Sequence, residues 1–293
     1  MKKMLLIINP VTAKTAITPH LIEIVDLFEK GGYAVEVHVT KRKYDALRLV
    51  RQTGASYDTV VCAGGDGTLN ETVFGAMALK QKPKIGYIPA GTTNDFAASW
   101  GIPRRPLEAA QAIVKGSSRP IDVNLFENRP YIYVAAFGTF AEVSFETPQN
   151  LKKSLGWSAY IFEGIKRLPS IRPVHMRVEY DGGVTEGNFL YGMMSNTRRV
   201  GGFDLKIKDD ISLFDGRMEM ILIRQPDNPA DNPKMLGAVL MQDTSSEFIV
   251  FAHTKRVHFE AEKPILWTID GENGGEVQKG DIVLCRNAIE MFV

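Results

Sequence analysis

Gly64-Gly65-Asp66-Gly67-Thr68-Leu69-Asn70-Glu71 follows the apolar run Thr59-Val60-Val61-Cys62-Ala63 and precedes Thr72-Val73-Phe74-Gly75-Ala76-Met77-Ala78-Leu79. A buried strand runs into a glycine-rich turn and then into a helix expected to begin near Thr68. Glycines at 64, 65 and 67 remove every Cβ where a phosphate would approach the backbone. The helix start would offer free N–H groups and partial positive charge. Asp66 stands in the middle, a poor neighbour for bare phosphate and a good one for phosphate-bound Mg²⁺. The turn reads as a nucleotide–metal site with ATP as first candidate. A plain turn closed by an Asx bond from Asp66 is the alternative that a lone glycine pair would suggest.

A second strand-like run, Lys84-Ile85-Gly86-Tyr87-Ile88-Pro89, leads into Ala90-Gly91-Thr92-Thr93-Asn94-Asp95-Phe96-Ala97. This is again strand, tight turn and helix start, with hydroxyls and a carboxylate at the turn. GGDGTLNE and PAGTTNDFA together resemble the catalytic domain of the diacylglycerol kinases, and most of all the bacterial soluble lipid kinases of that family. Sphingosine and ceramide kinases share the domain. NAD kinases and 6-phosphofructokinases share only the GGDG-type turn. Weaker family features at 9–14, 122, 196–216 and 270–272 extend the resemblance over nearly the whole chain.

The length is enough for two domains of ordinary size. The chain has 293 residues, with 35 Lys plus Arg against 34 Asp plus Glu. That balance gives no support for a nucleic-acid partner. The start, Met1-Lys2-Lys3-Met4-Leu5-Leu6-Ile7-Ile8-Asn9-Pro10, is too short in its apolar part for a signal peptide and reads as a first strand. No run approaches the ~18 apolar residues of a transmembrane helix, so a cytoplasmic protein is expected, visiting the membrane surface transiently. Cys62 and Cys285 are expected to be buried free thiols, and the five histidines show no metal spacing. His258, between Val257 and Phe259, is expected to be a solvent-facing strand residue.

The first half alternates strands, expected at 3–9, 34–40, 59–63 and 84–88, with helices at 18–30, 44–53, 69–80 and 106–115. Such a pattern argues for a parallel sheet covered on both faces, with ligands beyond the carboxyl ends of its strands. Asn9, Thr40, Gly64–Thr68 and Gly91–Asp95 all fall at such ends. After Arg119 strands dominate. A hairpin is expected across Glu127-Asn128-Arg129-Pro130, followed by strands at 174–181, 185–195, 217–224, 247–252, 256–261, 265–269, 282–285 and 289–293. Helices are expected only near 139–146, 155–167 and 231–241. The resulting expectation is an α/β, doubly wound nucleotide-binding domain over 1–122 and a mostly antiparallel, β-sandwich-like lipid domain over 123–293, whose last residues could return to the first. The family implies the same architecture, with the active site in the cleft between the two.

The resemblance also implies roles. ATP would be held by Asn9, Pro10, Thr40, Gly64, Gly65, Asp66, Gly67, Thr68, Asn70 and Thr92. Asn9-Pro10 resembles the opening NPxSG element, read as a loop. Here it continues Val11-Thr12-Ala13-Lys14, with Thr for Ser and Ala for Gly. Tyr44 stands where relatives have Gly. Asp66, Asp95 and Asp122 match the aspartate set of an Mg²⁺-linked network. Read without the family, Asp95 would be a helix cap and Asp122 an edge-strand residue. Glu272, in Trp267-Thr268-Ile269-Asp270-Gly271-Glu272, matches the proposed general base, although the bare sequence is a hairpin turn with solvated acids. A second, structural Mg²⁺ would be held by Asp215 with Ser212 and Arg217 as backbone partners, the alternative being a simple Asp-Gly turn. The aromatic segment 155–167 could line a lipid entrance or pack on the β domain.

The implied activity is ATP- and Mg²⁺-dependent phosphoryl transfer to the hydroxyl of a diacylglycerol-like lipid at the membrane surface. A NAD kinase and a catalytically weak nucleotide-binding regulator are the alternatives, and a homodimer is left open.

Overall fold

The computed structural model describes residues 1–138, 172–200, 203–204 and 215–293. The helices expected near 139–146 and 155–167, and Ser212, lie outside the described residues. The chain divides into two compact units, Met1–Val123 with Cys285–Val293, and Asn124–Leu284.

The first unit is built on a parallel sheet of β1 (Lys2–Ile8), β2 (Tyr33–Val39), β3 (Thr59–Gly64) and β4 (Lys84–Pro89), ordered β2-β1-β3-β4. Leu6 lies opposite Val37 on one side and Val61 on the other. The end of the last strand, β15 (Glu272–Phe292), adds to β4 in parallel at Met291 and Ile85. Central strands buried on both faces explain the unbroken apolar runs. Met4, Leu6, Ile8, Val61 and Ala63 pack under α1 (Pro10–Ala16), α2 (Leu21–Lys30) and α6 (Pro106–Lys115) through Ala13, Ile24, Phe28, Ala109 and Ile113. On the opposite face, α4 (Asp66–Met77) packs on β3 and α3 (Asp45–Thr53) packs on α4. The sheet is therefore doubly wound. The order reverses between β1 and β3, so the carboxyl ends of these strands border the topological switch point.

Three local readings change. Residues 10–16 are a helix, not a loop: Asn9 caps it by accepting from the Val11 N–H at 3.1 Å, and Pro10 takes the first position, where a missing N–H costs nothing. Ala13 is then a fully buried core residue, which accounts for its replacing a glycine. The stretch 18–30 begins as a 3-10 turn at Thr18–His20 before α2. Helix α4 starts at Asp66, two residues before Thr68, so the glycine turn shrinks to Gly64-Gly65.

The second unit is antiparallel. Its ladders run β13 (Ile249–Thr254), β12 (Met218–Arg224), β9 (Gly183–Ser195), β7 (Val134–Gly138), β14 (Arg256–Ile269), β15. β8 (Val174–Tyr180) shares the column of β7 between β9 and β14. The strands expected at 256–261 and 265–269 are one strand, β14, with a register shift between Glu260 and Ile265. Those expected at 282–285 and 289–293 are likewise one strand, β15. A two-residue turn at Glu127-Asn128 joins β5 (Ser118–Phe126) to β6 (Arg129–Tyr131). The ribbon β10 (Arg199–Val200) with β11 (Phe203–Asp204) stands apart in pairing, and α7 (Asn232–Met241) is the helix of this unit among the described residues. The core gathers around Trp267, whose ring centroid lies 4.7 Å from Phe259, 4.9 Å from Phe126 and 5.0 Å from Phe137.

Gly75 sets the spacing of α3 and α4. A Cβ there would lie 2.8 Å from the Leu47 carbonyl oxygen and 2.8 Å from Val50 Cβ. Gly→Ala inside a helix ordinarily stabilises by about 1 kcal/mol, but a backbone oxygen cannot step aside as a side chain can. Gly75→Ala is expected to lower the melting temperature in thermal denaturation. A rise would mean that the two helices separate at no cost.

Candidate functional site

The carboxyl ends of the parallel strands are tied to one another and to the helices that follow. Asn9 ends β1 and donates from Nδ2 to Thr68 Oγ1 at 2.9 Å. That bond joins the first strand to the first turn of α4. Thr40 follows β2 and donates its N–H to the Ile8 oxygen at 2.9 Å, holding the next strand end alongside. Gly65 caps α4 with extended backbone, φ −89° and ψ 179°. A Cβ on Gly91 would fall 2.8 Å from Gly65 Cα and 2.7 Å from Asn94 Oδ1, so the β3 and β4 turns touch backbone to backbone.

Asp66 is the first residue of α4, half-buried. Its Oδ1 accepts from the Tyr87 hydroxyl at 3.2 Å and its Oδ2 from the Asp95 N–H at 3.0 Å. The structure thus brings Asp66 and Asp95 together at the edge. Burial, and then the Asp66 charge, raise the Tyr87 phenol well above its ordinary range, so it is a neutral donor. Asn94 is the cap of α5 (Asp95–Trp100). It sits in the left-handed region at φ 50°, with Oδ1 accepting the Gly91 N–H at 2.8 Å. Asp95 is therefore the first helical residue, not the cap, and is 3% exposed. Thr92 is exposed between the two turns, Asn70 is half-buried on α4, and Pro10 is exposed on α1.

Asp122 is placed differently. It is buried on β5, and its Oδ1 accepts the Asn287 N–H at 2.7 Å, holding a left-handed residue of the last strand at φ 51°. Tyr44 also has positive φ, 64°, and donates its N–H to Glu71 Oε1 at 2.8 Å. A backbone in that region explains why glycine suits the position. Cys62 is buried, and its thiol is pushed up to about 12 by desolvation. Cys285 is half-buried rather than buried, and neither forms a disulfide. His258 is partly exposed and sits 3.1 Å from Asp281 Oδ1 across the β14–β15 ladder.

In the second unit, Asp270-Gly271 forms the two-residue turn between β14 and β15, with φ 49° and 78°. This is the turn for which Asp-Gly is suited. Asp270 Oδ2 accepts from Ile132 N, and Oδ1 from Tyr133 N and Val134 N, each at 3.0 Å. This carboxylate fixes the break between β6 and β7. Glu272 is the first residue of β15. Its side chain is 37% exposed, with Oε2 3.6 Å from Arg129 Nη2. Arg129 also donates to the Asn273 carbonyl at 3.2 Å.

At the Asp215-Gly216 turn, Asp215 is exposed and its Oδ1 accepts the Arg217 N–H at 3.0 Å, with Gly216 at φ 72°. The closed turn that the bare sequence suggests is thus present. Glu219, which sequence reasoning did not single out, lies fully buried three residues after this turn. Desolvation pushes its carboxyl up to about 8. Its own backbone N–H and Arg198 oppose the rise, and Asp215 adds to it. The signal was a lone Glu inside Met218-Glu-Met-Ile-Leu222, an acid in a strand otherwise apolar. Among the described residues no three His, Cys, Asp or Glu side chains cluster as a metal site, and no helix is long and apolar enough to cross a membrane.

Residues 3–125 match the diacylglycerol kinase catalytic domain. The chain is 34% identical over 278 residues to the diacylglycerol kinase of Bacillus subtilis (strain 168), covering 94% of this chain and 91% of that one. It is 32% identical over 292 residues to the diacylglycerol kinase of Staphylococcus aureus (strain JH9), covering 99% and 92%. A crystal structure of a diacylglycerol kinase from Bacillus anthracis str. Sterne has the same fold, with a TM-score of 0.74 at 22% identity over 99% of this chain and 96% of that one. A second solved structure from that organism reaches a TM-score of 0.79 at 25% identity, covering 99% and 95%.

Asp270→Ala is expected to destabilise the protein strongly, because three backbone N–H groups lose their acceptor at once. A single lost partner in a part-buried site costs about 1–3 kcal/mol. Denaturant melts followed by tryptophan fluorescence check this, since Trp267 stands at the end of the same strand. An unchanged midpoint would mean that the N–H groups find other acceptors.

Proposed function

Because the chain belongs to the diacylglycerol kinase family, we propose that it is an ATP- and Mg²⁺-dependent lipid kinase. It transfers the γ-phosphoryl group of ATP to the hydroxyl of a diacylglycerol-like lipid at a membrane surface. The observation that carries this reading is the first turn of α4. Gly67 is exposed there, with helical backbone, and a Cβ built on it would meet nothing within 4 Å. The protein's own packing does not require a glycine at this position. A phosphate drawn close to the backbone does, and the free N–H groups of a helix start favour it.

In this reading Asn9, Pro10, Thr40, Gly64, Gly65, Gly67, Thr68, Asn70 and Thr92 form the nucleotide edge. Asp66, Asp95 and Asp122 are the carboxylates oriented toward phosphate-bound Mg²⁺. Bound Mg²⁺ neutralises developing charge on the phosphoryl oxygens. The donor set fits a hard cation, because carboxylate oxygens are the ligands such an ion takes. Tyr87 and the Asp95 N–H fix its carboxylate plane. Asp215, with the backbone of Ser212 and Arg217, is the proposed structural Mg²⁺ site.

Glu272 is the proposed general base. It takes the proton of the lipid hydroxyl as that oxygen bonds to the γ-phosphorus and the bond to the β–γ bridging oxygen breaks, with ADP leaving. Arg129 Nη2 stands 3.6 Å from its carboxylate.

Glu272→Gln is expected to bind Mg·ATP as the wild type does and to lose ~10²–10⁴-fold in kcat. Single-turnover transfer from radiolabelled ATP to diacylglycerol in detergent micelles measures this, with phosphatidylglycerol, ceramide and sphingosine in parallel to identify the acceptor. An unchanged rate would leave Glu272 as a hairpin acid. Gly67→Ala is expected to melt at or above the wild-type temperature while raising the KM for ATP at least about tenfold, some 1.4 kcal/mol of binding. Unaltered ATP kinetics would remove the nucleotide from this turn.

A further inference from the structure

One row of polar side chains crosses three neighbouring strands of the β-rich unit. Glu219 on β12 lies opposite Ser195 on β9 and opposite His253 on β13. Directly opposed residues share a face of the sheet. Ser195 and Glu219 are 0% exposed, and Asn196, the residue after Ser195, is 3% exposed. Among the described residues, Glu219 Oε1 and Oε2, Ser195 Oγ, Asn196 Oδ1 and His253 Nδ1 accept or donate no hydrogen bond. His253 Nδ1 stands 3.5 Å from Glu219 Oε1, and its ring is 23% exposed.

Buried polar atoms are almost always satisfied, and a buried carboxylate without a partner is the costliest case. The orphaned atoms of this row have one property in common: each carries a lone pair. A cation accepts electron pairs from several such atoms at once, and is one group able to satisfy them together. Carboxylate and hydroxyl oxygens select a hard divalent ion. We propose that Glu219, with Ser195 Oγ opposite it, binds a hard divalent cation inside the β-rich unit, with His253 bordering the site. The site is separate from the Asp215 turn, where the carboxylate is exposed and already accepts the Arg217 N–H. It does not depend on the kinase reading.

The test uses the full chain, stripped with EDTA and dialysed, then melted with increasing Mg²⁺ or Mn²⁺. A cation that binds only the folded state raises the melting temperature, by roughly 5–10 °C at a hundredfold excess over its Kd. Glu219→Gln keeps the shape and removes the charge. It is expected to melt without metal at or above wild type and to lose the metal-dependent rise. If it keeps the rise while Asp215→Asn loses it, the cation sits at the turn alone and the proposal fails, with the family reading intact. If Asp215→Asn keeps the rise and Glu219→Gln loses it, the proposal stands and the turn site falls. Loss in both supports a cation that Glu219 holds and Asp215 helps to attract. No rise in the wild type means that Arg198 or another protein group supplies the counter-charge, and the proposal is wrong. A measurement on the wild type guards against a misfolded variant. Fe²⁺ is substituted for Mg²⁺ and treated with ascorbate and peroxide, and the cleavage points are mapped by mass spectrometry. Cuts at Ser195–Asn196 and beside Glu219 are expected. Cuts confined to other segments would overturn the assignment.

Discussion

The close approach of two backbones, Gly65 and Gly91, is the constraint on which the α/β unit depends. Two parallel neighbours, β3 and β4, each turn straight into a helix, and the turns meet with no room for a Cβ between them. Because β3 passes into α4 after a single capping residue, the helix start is held at the strand end and not on a flexible loop. Short connections of this kind position a site more tightly than loops do. The remaining contacts follow from that closeness. Asp66 reaches the first N–H of α5, Tyr87 reaches Asp66, and Asn9 reaches Thr68.

The β-rich unit uses polar side chains differently. Asp270 satisfies three consecutive N–H groups where the chain breaks between β6 and β7. Breaking a strand exposes backbone donors, and a carboxylate in the opposing turn is the compact remedy. The same turn therefore carries two acids with unrelated duties: Asp270 is bound to the fold, and its neighbour Glu272 is half-exposed beside Arg129. Two acids separated by one glycine can be told apart only by asking which donors each one meets.

One non-glycine residue holds a left-handed backbone beside the start of α3. Tyr44 keeps φ 64° with a full side chain, stabilised by its N–H bond to Glu71 and by Lys43, whose ammonium lies 5.1 Å from the ring centroid. Such a residue carries strain of order 1 kcal/mol or more. The Ala13 replacement is of another kind, since it fills the core under α1.

The sequence by itself determined the alternation of buried strands and helices in the first half, the sites of the two glycine turns, and the family. Each rests on local signals: unbroken apolar runs, glycines before a helix, and motif residues at fixed spacing. It placed Asp66 and Asp95 at strand ends without knowing that the N–H of one meets the carboxylate of the other. The helix over 10–16 was not legible, because its cap and its proline were read as a binding loop. The continuity of β14 and β15 was also hidden. A long strand crossed by register shifts shows a broken alternation, which in sequence looks like two strands and a turn. Only the tertiary structure decided that Asp122 holds Asn287, that Asp270 belongs to the fold, and that Glu219 lies with Ser195 and His253 in one buried row. Each of these pairs residues far apart in the chain. Which donors and acceptors meet across a sheet is fixed by strand register, and no local pattern in the sequence encodes register.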